Sequence, residues 1–439
     1  MHRHLPASGR QGQRDFAAQP QGSAGHKDDG SGQGRCHRVL QEVRSGRRPE
    51  GRGNRRQSGL VTNMTNSPIL TTPLQALVAK AIDEAGGWLG FDAFMVLALY
   101  QPGLGYYARD SRKFGLMPAG IDAFKGGGSD FVTAPELSPH FGRTLARQVA
   151  QALQATGTDE VWEFGAGSGA LAQQVLDTLG DQVARYTIVD LSSALRERQR
   201  TRLAAHAGKV AWASELPARL RGVVLGNEVL DAMPVRLLAR SNGAWHERGV
   251  ALHAGRLAFA DTPTDLRPPL EIAGHHDYVT EIHPQAEGFI RTLADRLEAG
   301  AVFLLDYGFP EHEYYHPQRD MGTVMCHRAH LADADALLDV GEKDITAHVN
   351  FTGIALAGQE AGLEVLGYTS QGRFLLNCGL LDGLDSGIDA ASLARRAMVQ
   401  KLVNEHEMGE LFKVIAFGAK GRPVWEPLGF SAGDRLHTL

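Results

Sequence analysis

Three observations in the 439-residue chain predict an α/β fold with a parallel sheet covered by helices on both faces. From residue 160 onward, short strand-like runs alternate with stretches of helical apolar spacing. A glycine-rich turn links the first of these strands to the helix after it. The second strand ends on an acid, Asp190. A strand, glycine turn, helix, strand and acid in that order form a Rossmann-like unit.

The elements follow in chain order. Residues 1–63 hold 12 Lys/Arg against 5 Asp/Glu, a local charge of +7, which leaves −12 for the rest and −5 overall. This segment is rich in Gly, Gln, Arg and Ser and poor in large apolar side chains, so disorder is expected. It lacks the amphipathic pattern of a mitochondrial transit peptide, the apolar centre of a signal peptide and the aromatics of a nucleic-acid-binding tail. It reads as a basic extension upstream of a start at Met64. A helical and loop region is expected over 64–155. Residues 74–82 have helical spacing, and 91–100 form a second helix-like run that stops before Pro102 and Gly103. Gly105-Tyr106-Tyr107 and the cluster Gly126, Gly127 and Gly128 read as loop, and 137–155 returns to helix.

The Rossmann-like domain is expected over 156–439. Strands are predicted at 161–164, 186–189, 210–212, 223–225 and 301–305, with helices at 168–180, 193–206 and 286–298. The excursion at 236–284 carries Asn242-Gly243 between short apolar alternations, a hairpin signal. It reads as a β-rich insertion placed to cap the site.

The chemistry concentrates at the strand ends. Glu163-Phe-Gly165-Ala-Gly167-Ser-Gly169 sits at the first strand-to-helix junction, where glycine permits a tight turn and the helix offers free N–H groups. Asp190 is placed to accept hydrogen bonds from a ribose diol. Two nucleotide classes fit. Gly165 to Ala170 satisfies the dinucleotide pattern GxGxxG/A, and also the E/D-x-G-x-G-x-G of S-adenosylmethionine (SAM) enzymes. Glu163 and Gly169 favour SAM. The fourth strand runs into Asn227-Glu228-Val-Leu-Asp231-Ala-Met-Pro234, where two carboxylates face the site. The alternative is that Asn227 and Glu228 simply cap a following helix.

In sequence order, further motifs are Gly105-Tyr106-Tyr107, Asp130-Phe-Val-Thr133-Ala-Pro135-Glu136, Asp306-Tyr307-Gly308, Asp344-Ile-Thr346-Ala-His348-Val-Asn-Phe351, Gln371-Gly372-Arg-Phe374-Leu375 and Met408-Gly409-Glu-Leu-Phe412-Lys413. With the glycine loop and Asn227-Glu228, they resemble the MidA-like SAM-dependent methyltransferases over roughly residues 68–417. The resemblance implies a class I SAM-methyltransferase sheet with an N-terminal helical segment. Mitochondrial members of that family methylate arginine and assist respiratory complex I assembly. The chain departs from the family at Ser129, at an insertion over 116–128, at Ala166 and Ser168 in the glycine loop, and at Asn350.

The resemblance implies SAM as cofactor, held by Glu163, Gly165, Gly167, Gly169, Asp190 and Asn227. If the acceptor is arginine, its guanidinium is a permanent cation and a poor nucleophile. Carboxylates grip such a fork bidentately and accept its proton. Glu228 is the first candidate for that role and Asp231 the second. Tyr106, Tyr107, Asp130, Thr133, Pro135, Glu136, Asp306, Tyr307 and His348 are expected to line the acceptor side. Asp130 and Glu136 read equally well as loop-fixing residues, and His348 as a structural hydrogen bonder. Phe412 and Lys413 are assigned to a terminal hairpin.

Other functions are weighed against this one. A nicotinamide-dependent oxidoreductase would use the same glycine loop but lacks a visible hydride-transfer constellation. A catalytically silent assembly protein would keep only the fold. His275-His276 has no third ligand, so no metal is expected. The net charge of −5 disfavours nucleic acid, and no apolar run reaches membrane-span length. Cys36, Cys326 and Cys378 are too scattered for a disulfide framework. A protein partner, such as a respiratory-chain subunit, is expected, in the cytoplasm of a bacterium or the mitochondrial matrix of a eukaryote.

Overall fold

The computed structural model describes residues 72–108, 133–190, 193–328, 331–384 and 386–439. Residues 1–63, Asp130, the glycine cluster and the insertion at 116–128 therefore lie outside the described residues.

Helix α1 (Pro73–Glu84) opens with a capping box. Thr72 Oγ1 accepts the Gln75 N–H and the Gln75 side chain accepts the Thr72 N–H, both at 3.1 Å. Next come β1 (Leu89–Gly90), α2 (Phe91–Tyr100), α3 (Ala134–Leu137) and α4 (Pro139–Thr156). The alternating part is β2 (Glu160–Phe164), α5 (Ala170–Leu179), β3 (Arg185–Val189), α6 (Ser193–Arg202), β4 (Val210–Ala213) and β5 (Leu220–Asn227). The insertion follows as β6 (Arg236–Ser241), β7 (Ala244–His253), β8 (Arg256–Pro263) and β9 (Tyr278–Ile282). The chain returns through α7 (Pro284–Arg296), β10 (Leu297–Phe309), α8 (Glu311–Tyr314), β11 (Met325–Arg328), β12 (Leu331–Asp333), β13 (Asp344–Thr346) and β14 (Val349–Asn350). It ends with α9 (Phe351–Glu360), β15 (Glu364–Ser370), α10 (Gln371–Asn377), α11 (Ala390–Val403), α12 (Met408–Leu411) and β16 (Phe412–Gly418).

The central sheet runs β15-β16-β10-β5-β2-β3-β4, with β14 added to the end of β10. Strands β4, β3, β2, β5 and β10 are mutually parallel. Strand β16 is antiparallel to both β10 and β15. The period-two alternation of each strand feeds two separate cores. Val161, Val223 and Phe303 pack against α4, α5 and α10 on one face, while Trp162, Val224 and Val302 pack against α7 and α9 on the other.

Two expectations change here. The sheet is mixed, not parallel, and Phe412-Lys413 opens β16 and so belongs to no terminal hairpin. Three helices separate β16 from its partner β15, so no tight turn marks the pairing. The strand, wholly buried on both sides, reads only as an apolar run.

The insertion forms a second, antiparallel sheet with β1 of the N-terminal region, in the order β1-β7-β6-β9 with β8 on β7. The hairpin at Asn242-Gly243 joins β6 to β7, and both residues have left-handed φ, 50° and 76°. Val235, Leu237, Val250 and Leu257 share a core with α1, α2 and the segment carrying Ile345 and Ala347. Among the described residues no helix is long and apolar enough to cross a membrane.

Candidate active site

The carboxyl-terminal edge of the central sheet divides into two halves. Over β2 and β3 the chain turns through Gly165, Gly167 and Gly169 at φ of 63°, 51° and 83°. That left-handed backbone favours glycine at each position. It delivers the chain into α5, whose N-cap is Gly169. Gln199 on α6 is fully buried, and its Nε2 donates at 2.9 Å both to the Gly167 carbonyl and to Asp190 Oδ2. Trp212 Nε1, on β4, donates to Gln199 Oε1 at 2.9 Å. Arg196 donates to the Asp190 carbonyl at 2.7 Å.

The outer side of the turn is held by charge. The Ser168 hydroxyl donates to Glu136, and Arg202 donates to Ser168 and, at 2.7 Å, to Glu136. Beneath the turn Glu163 is buried, with the Tyr186 hydroxyl donating to its Oε2 at 2.8 Å. Burial pushes the Glu163 carboxyl up to about 8 despite that bond.

The other half lies over β5 and β10. Glu228 follows β5 with φ of 55°, a left-handed backbone that is costly for a residue with a side chain. Its N–H donates to the Leu305 carbonyl at 2.9 Å, and Asn227 Nδ2 donates to its Oε1 at 2.8 Å. Desolvation first, then the charge of Asp231, pushes the Glu228 carboxyl up to about 8; the Asn227 amide and the Ala134 N–H oppose that rise.

Asp306 at the end of β10 holds this loop in place. Its Oδ2 accepts the N–H groups of Val229, Leu230 and Asp231 at 3.1, 2.9 and 3.2 Å, and its Oδ1 accepts that of Tyr307 at 3.0 Å. Burial and the carboxylates of Asp231 and Glu228 raise its proton affinity, against those donors. Burial also pushes Asp231 up to about 6. The Tyr107 hydroxyl donates to Asp344 Oδ1 at 2.7 Å. The Tyr107 ring stacks on Tyr100 at 5.5 Å between centroids, and the Tyr100 hydroxyl donates to the Ala232 carbonyl at 2.9 Å.

His348 lies edge-on to Tyr307 and Phe309, with centroids 5.1 and 5.2 Å away. Burial, with Arg319 and Lys413 nearby, pushes its imidazole down to about 4, so it is neutral near pH 7. Asn227 Oδ1 and His348 Nδ1 are buried without a hydrogen-bond partner, and the buried polar ends of Asp231, Tyr307 and Thr346 face only one another. Buried polar atoms are normally paired. Their concentration at one strand edge marks a place that a polar ligand completes.

The fold thus brings Glu163, the three glycines and Asp190 together in one half, and Asn227, Glu228, Asp231, Asp306, Tyr307, His348 and Tyr107 in the other. Thr133, Pro135 and Glu136 lie between them. Thr133 precedes α3 with no capping bond from its side chain, the Pro135 carbonyl accepts from Gln174 at 2.7 Å, and Glu136 secures the glycine loop. Tyr106 is buried in the apolar core, edge-on to Tyr107 at 5.0 Å. No helix follows Glu228, so the capping alternative for Asn227-Glu228 falls away. Gln199 is marked by no sequence motif, and Asp344 and Thr346 stand in the Asp344–Phe351 motif without an assigned role. Gln199 lies in Arg196-Glu-Arg-Gln199-Arg-Thr-Arg202, where nothing in the charged run singles out a buried amide. Among the described residues no group of three or more His, Cys, Asp or Glu is arranged to hold a metal.

A glycine turn after β2, an acid after β3 and an antiparallel strand set next to the sheet edge define the class I methyltransferase fold. A family model for S-adenosyl-L-methionine-dependent methyltransferases matches residues 144–369. A Burkholderia thailandensis protein solved with bound S-adenosyl-homocysteine is 48% identical, with a TM-score of 0.77 over 85% of this chain and 100% of that one. A native structure from the same organism is 46% identical over the same shares, with a TM-score of 0.74. Among curated relatives, the protein arginine methyltransferase NDUFAF7, mitochondrial, of Danio rerio is 25% identical over 392 residues, 80% of this chain and 87% of its own length. The Homo sapiens protein of the same name is 27% identical over 333 residues, 65% and 73% respectively. The chain belongs to this family of SAM-dependent methyltransferases, and SAM is its cofactor. The nicotinamide alternative is thereby set aside. The described residues fit SAM: three left-handed glycines clear the turn, and the Asp190 carboxylate stands beside it at the end of the next strand.

Proposed function

We propose that the chain methylates arginine side chains of a protein substrate. The observation that carries this reading is the convergence of the Glu228, Asp231 and Asp344 carboxyls on one strand edge with no basic side chain paired to Glu228 or Asp231. A permanent, planar cation is the acceptor that such a group of carboxylates suits. The names of the curated relatives agree with it, as protein arginine methyltransferases.

In this reading Glu163, the glycine loop, Asp190 and Asn227 hold the cofactor, which supplies an electrophilic methyl group when bound. Glu228 grips the guanidinium, and its raised proton affinity lets it take the proton that the nitrogen loses. Asp231 holds the second arm of the fork. Tyr107 fixes Asp344, and Tyr307 and neutral His348 wall the pocket without adding positive charge. The left-handed backbone at Glu228, locked by the Asp306 bonds to the next three N–H groups, sets the direction of its side chain. Resemblance to mitochondrial family members makes a respiratory complex I subunit the first substrate to try.

The test is incubation of the purified protein with methyl-labelled SAM and a cell extract, followed by mass spectrometry of the labelled peptides. Methyl groups on arginine ω-nitrogens are expected. Label confined to lysine or to carboxyl groups would overturn the arginine assignment.

A further inference from the structure

We propose that Gln199 is a positioning residue for the cofactor: its amide orients the Asp190 carboxylate toward the ribose and locks the glycine loop beside it. This rests on the reading of Asp190 as the ribose ligand.

The amide has one orientation available. Trp212 Nε1 can only donate, so the Gln199 carbonyl oxygen must face it. The NH₂ group then faces two acceptors, the Gly167 carbonyl and Asp190 Oδ2, each at 2.9 Å, and both its protons are used. One fully buried side chain therefore ties three segments together: the glycine turn, the end of β3 and strand β4. The contact is close on the helix side as well. A Cβ added at Gly169 would meet Gln199 Cγ and Leu203 Cδ1 at 3.5 Å, so α6 rests directly on the turn.

Asp190 needs such a partner. A carboxylate presented to a ribose diol must be fixed in rotation, because a misdirected oxygen loses one of the two hydroxyls. A hydrogen bond from a buried amide to one oxygen fixes the plane and leaves the carboxylate its charge. Replacing the amide with a carboxylate of the same size reverses this. It sets negative charge against Asp190 and a lone pair against the Gly167 carbonyl.

The experiment is calorimetric binding of S-adenosyl-homocysteine and of its 2′,3′-dideoxy analogue to the full chain and to Gln199→Met, Gln199→Glu, Trp212→Phe and Asp190→Ala. Gln199→Met is expected to weaken S-adenosyl-homocysteine by on the order of tenfold, and Gln199→Glu by more. Trp212→Phe removes only the upper tether and is expected to cost about twofold to threefold. For the dideoxy analogue the Gln199→Met penalty should shrink to the part carried by the glycine loop. A merely structural role would weaken both ligands equally and would lower the melting temperature in proportion. Equal penalties for the two ligands, or wild-type affinity in Gln199→Met, would overturn the proposal. If Gln199→Met does not fold, the ligand comparison is read from Gln199→Glu and Trp212→Phe. If Asp190→Ala binds as wild type, the ribose assignment itself fails, whatever the Gln199 variants do.

Discussion

The two halves of the strand edge solve opposite problems. Over β2 and β3 the polar groups of the protein satisfy one another: Gln199 with Gly167, Asp190 and Trp212, Tyr186 with Glu163, Arg202 with Glu136 and Ser168. Over β5 and β10 Asn227 Oδ1 and His348 Nδ1 are left without a protein partner, and carboxylates sit close enough to push one another's proton affinity up. The first half is a finished cradle whose shape is set before any ligand arrives. The second is electrostatically unfinished. It is stabilised by the cation that it is proposed to bind, and is costly to hold without one.

That contrast is broken most severely at Gly167. Its φ of 51° strains any β-branched side chain, and its carbonyl bond to Gln199 depends on that turn. Gly167→Val is expected to abolish SAM binding by calorimetry while the far-ultraviolet spectrum keeps its native shape. Measurable affinity at wild-type strength would mean that the loop does not hold the cofactor.

The second half is broken by charge. Glu228→Gln keeps the shape of the side chain and its contact with Asn227, but it no longer takes a proton. Methyl transfer in a single turnover at saturating SAM should fall by about 10²–10⁴-fold, with SAM affinity nearly unchanged. Asp231→Asn should show the smaller defect; a larger one would reverse the two roles.

These halves were unequally legible in the sequence. The cradle is contiguous: Glu163 to Gly169 is one stretch, Asp190 ends the next strand, and glycines at a strand-to-helix junction have few other uses. The acceptor half is assembled from Tyr107, Glu228-Asp231, Asp306-Tyr307 and Asp344-His348, separated by many residues and by a whole inserted sheet. Order along the chain says nothing about which of these meet. Asp306 is expected from the sequence to line the acceptor side, and the three N–H groups of residues 229–231 on its Oδ2 make it the anchor of the Glu228 loop. Gln199 was missed because nothing local distinguishes a buried amide in an arginine-rich helix. The mixed sheet was missed for a similar reason: β15 and β16 pair across three helices, with no turn to announce them.

Acidity sharpens the comparison further, since each half holds a carboxyl pushed up to about 8, Glu163 in one and Glu228 in the other. A carboxyl raised in the folded state binds its proton more tightly there than in the unfolded chain. Its contribution to stability is complete below the ordinary carboxylate range and is lost as pH rises through about 8. The melting temperature should therefore fall from about pH 5 to pH 8 and level off above that, and Glu163→Gln should flatten that slope. Catalysis should run the other way. If Glu228 must be ionised, kcat/KM for the acceptor climbs about tenfold per pH unit and levels off near 8. Activity that is flat over this range would exclude Glu228 as the proton acceptor.

The smallest effect is expected at Ser168, where the cradle is held by a network touching no ligand in the proposed scheme. The Ser168 hydroxyl bridges Glu136 and Arg202, yet those two already meet at 2.7 Å and stay partly open to water. Removing the hydroxyl leaves the ion pair in place and unfastens only the turn from it. A single partly buried hydrogen bond whose partners stay paired falls at the low end of its usual contribution, about 0.5 kcal/mol, so Ser168→Ala should weaken SAM by about twofold at most. Glu136→Gln should do slightly more, because it also strips Arg202 of its partner. Both changes should appear in affinity and leave the single-turnover rate at saturating SAM unchanged. A rate defect in Ser168→Ala would show that the two halves are mechanically joined through α3, whose first N–H faces Glu228, and the division between cradle and acceptor pocket would have to be given up.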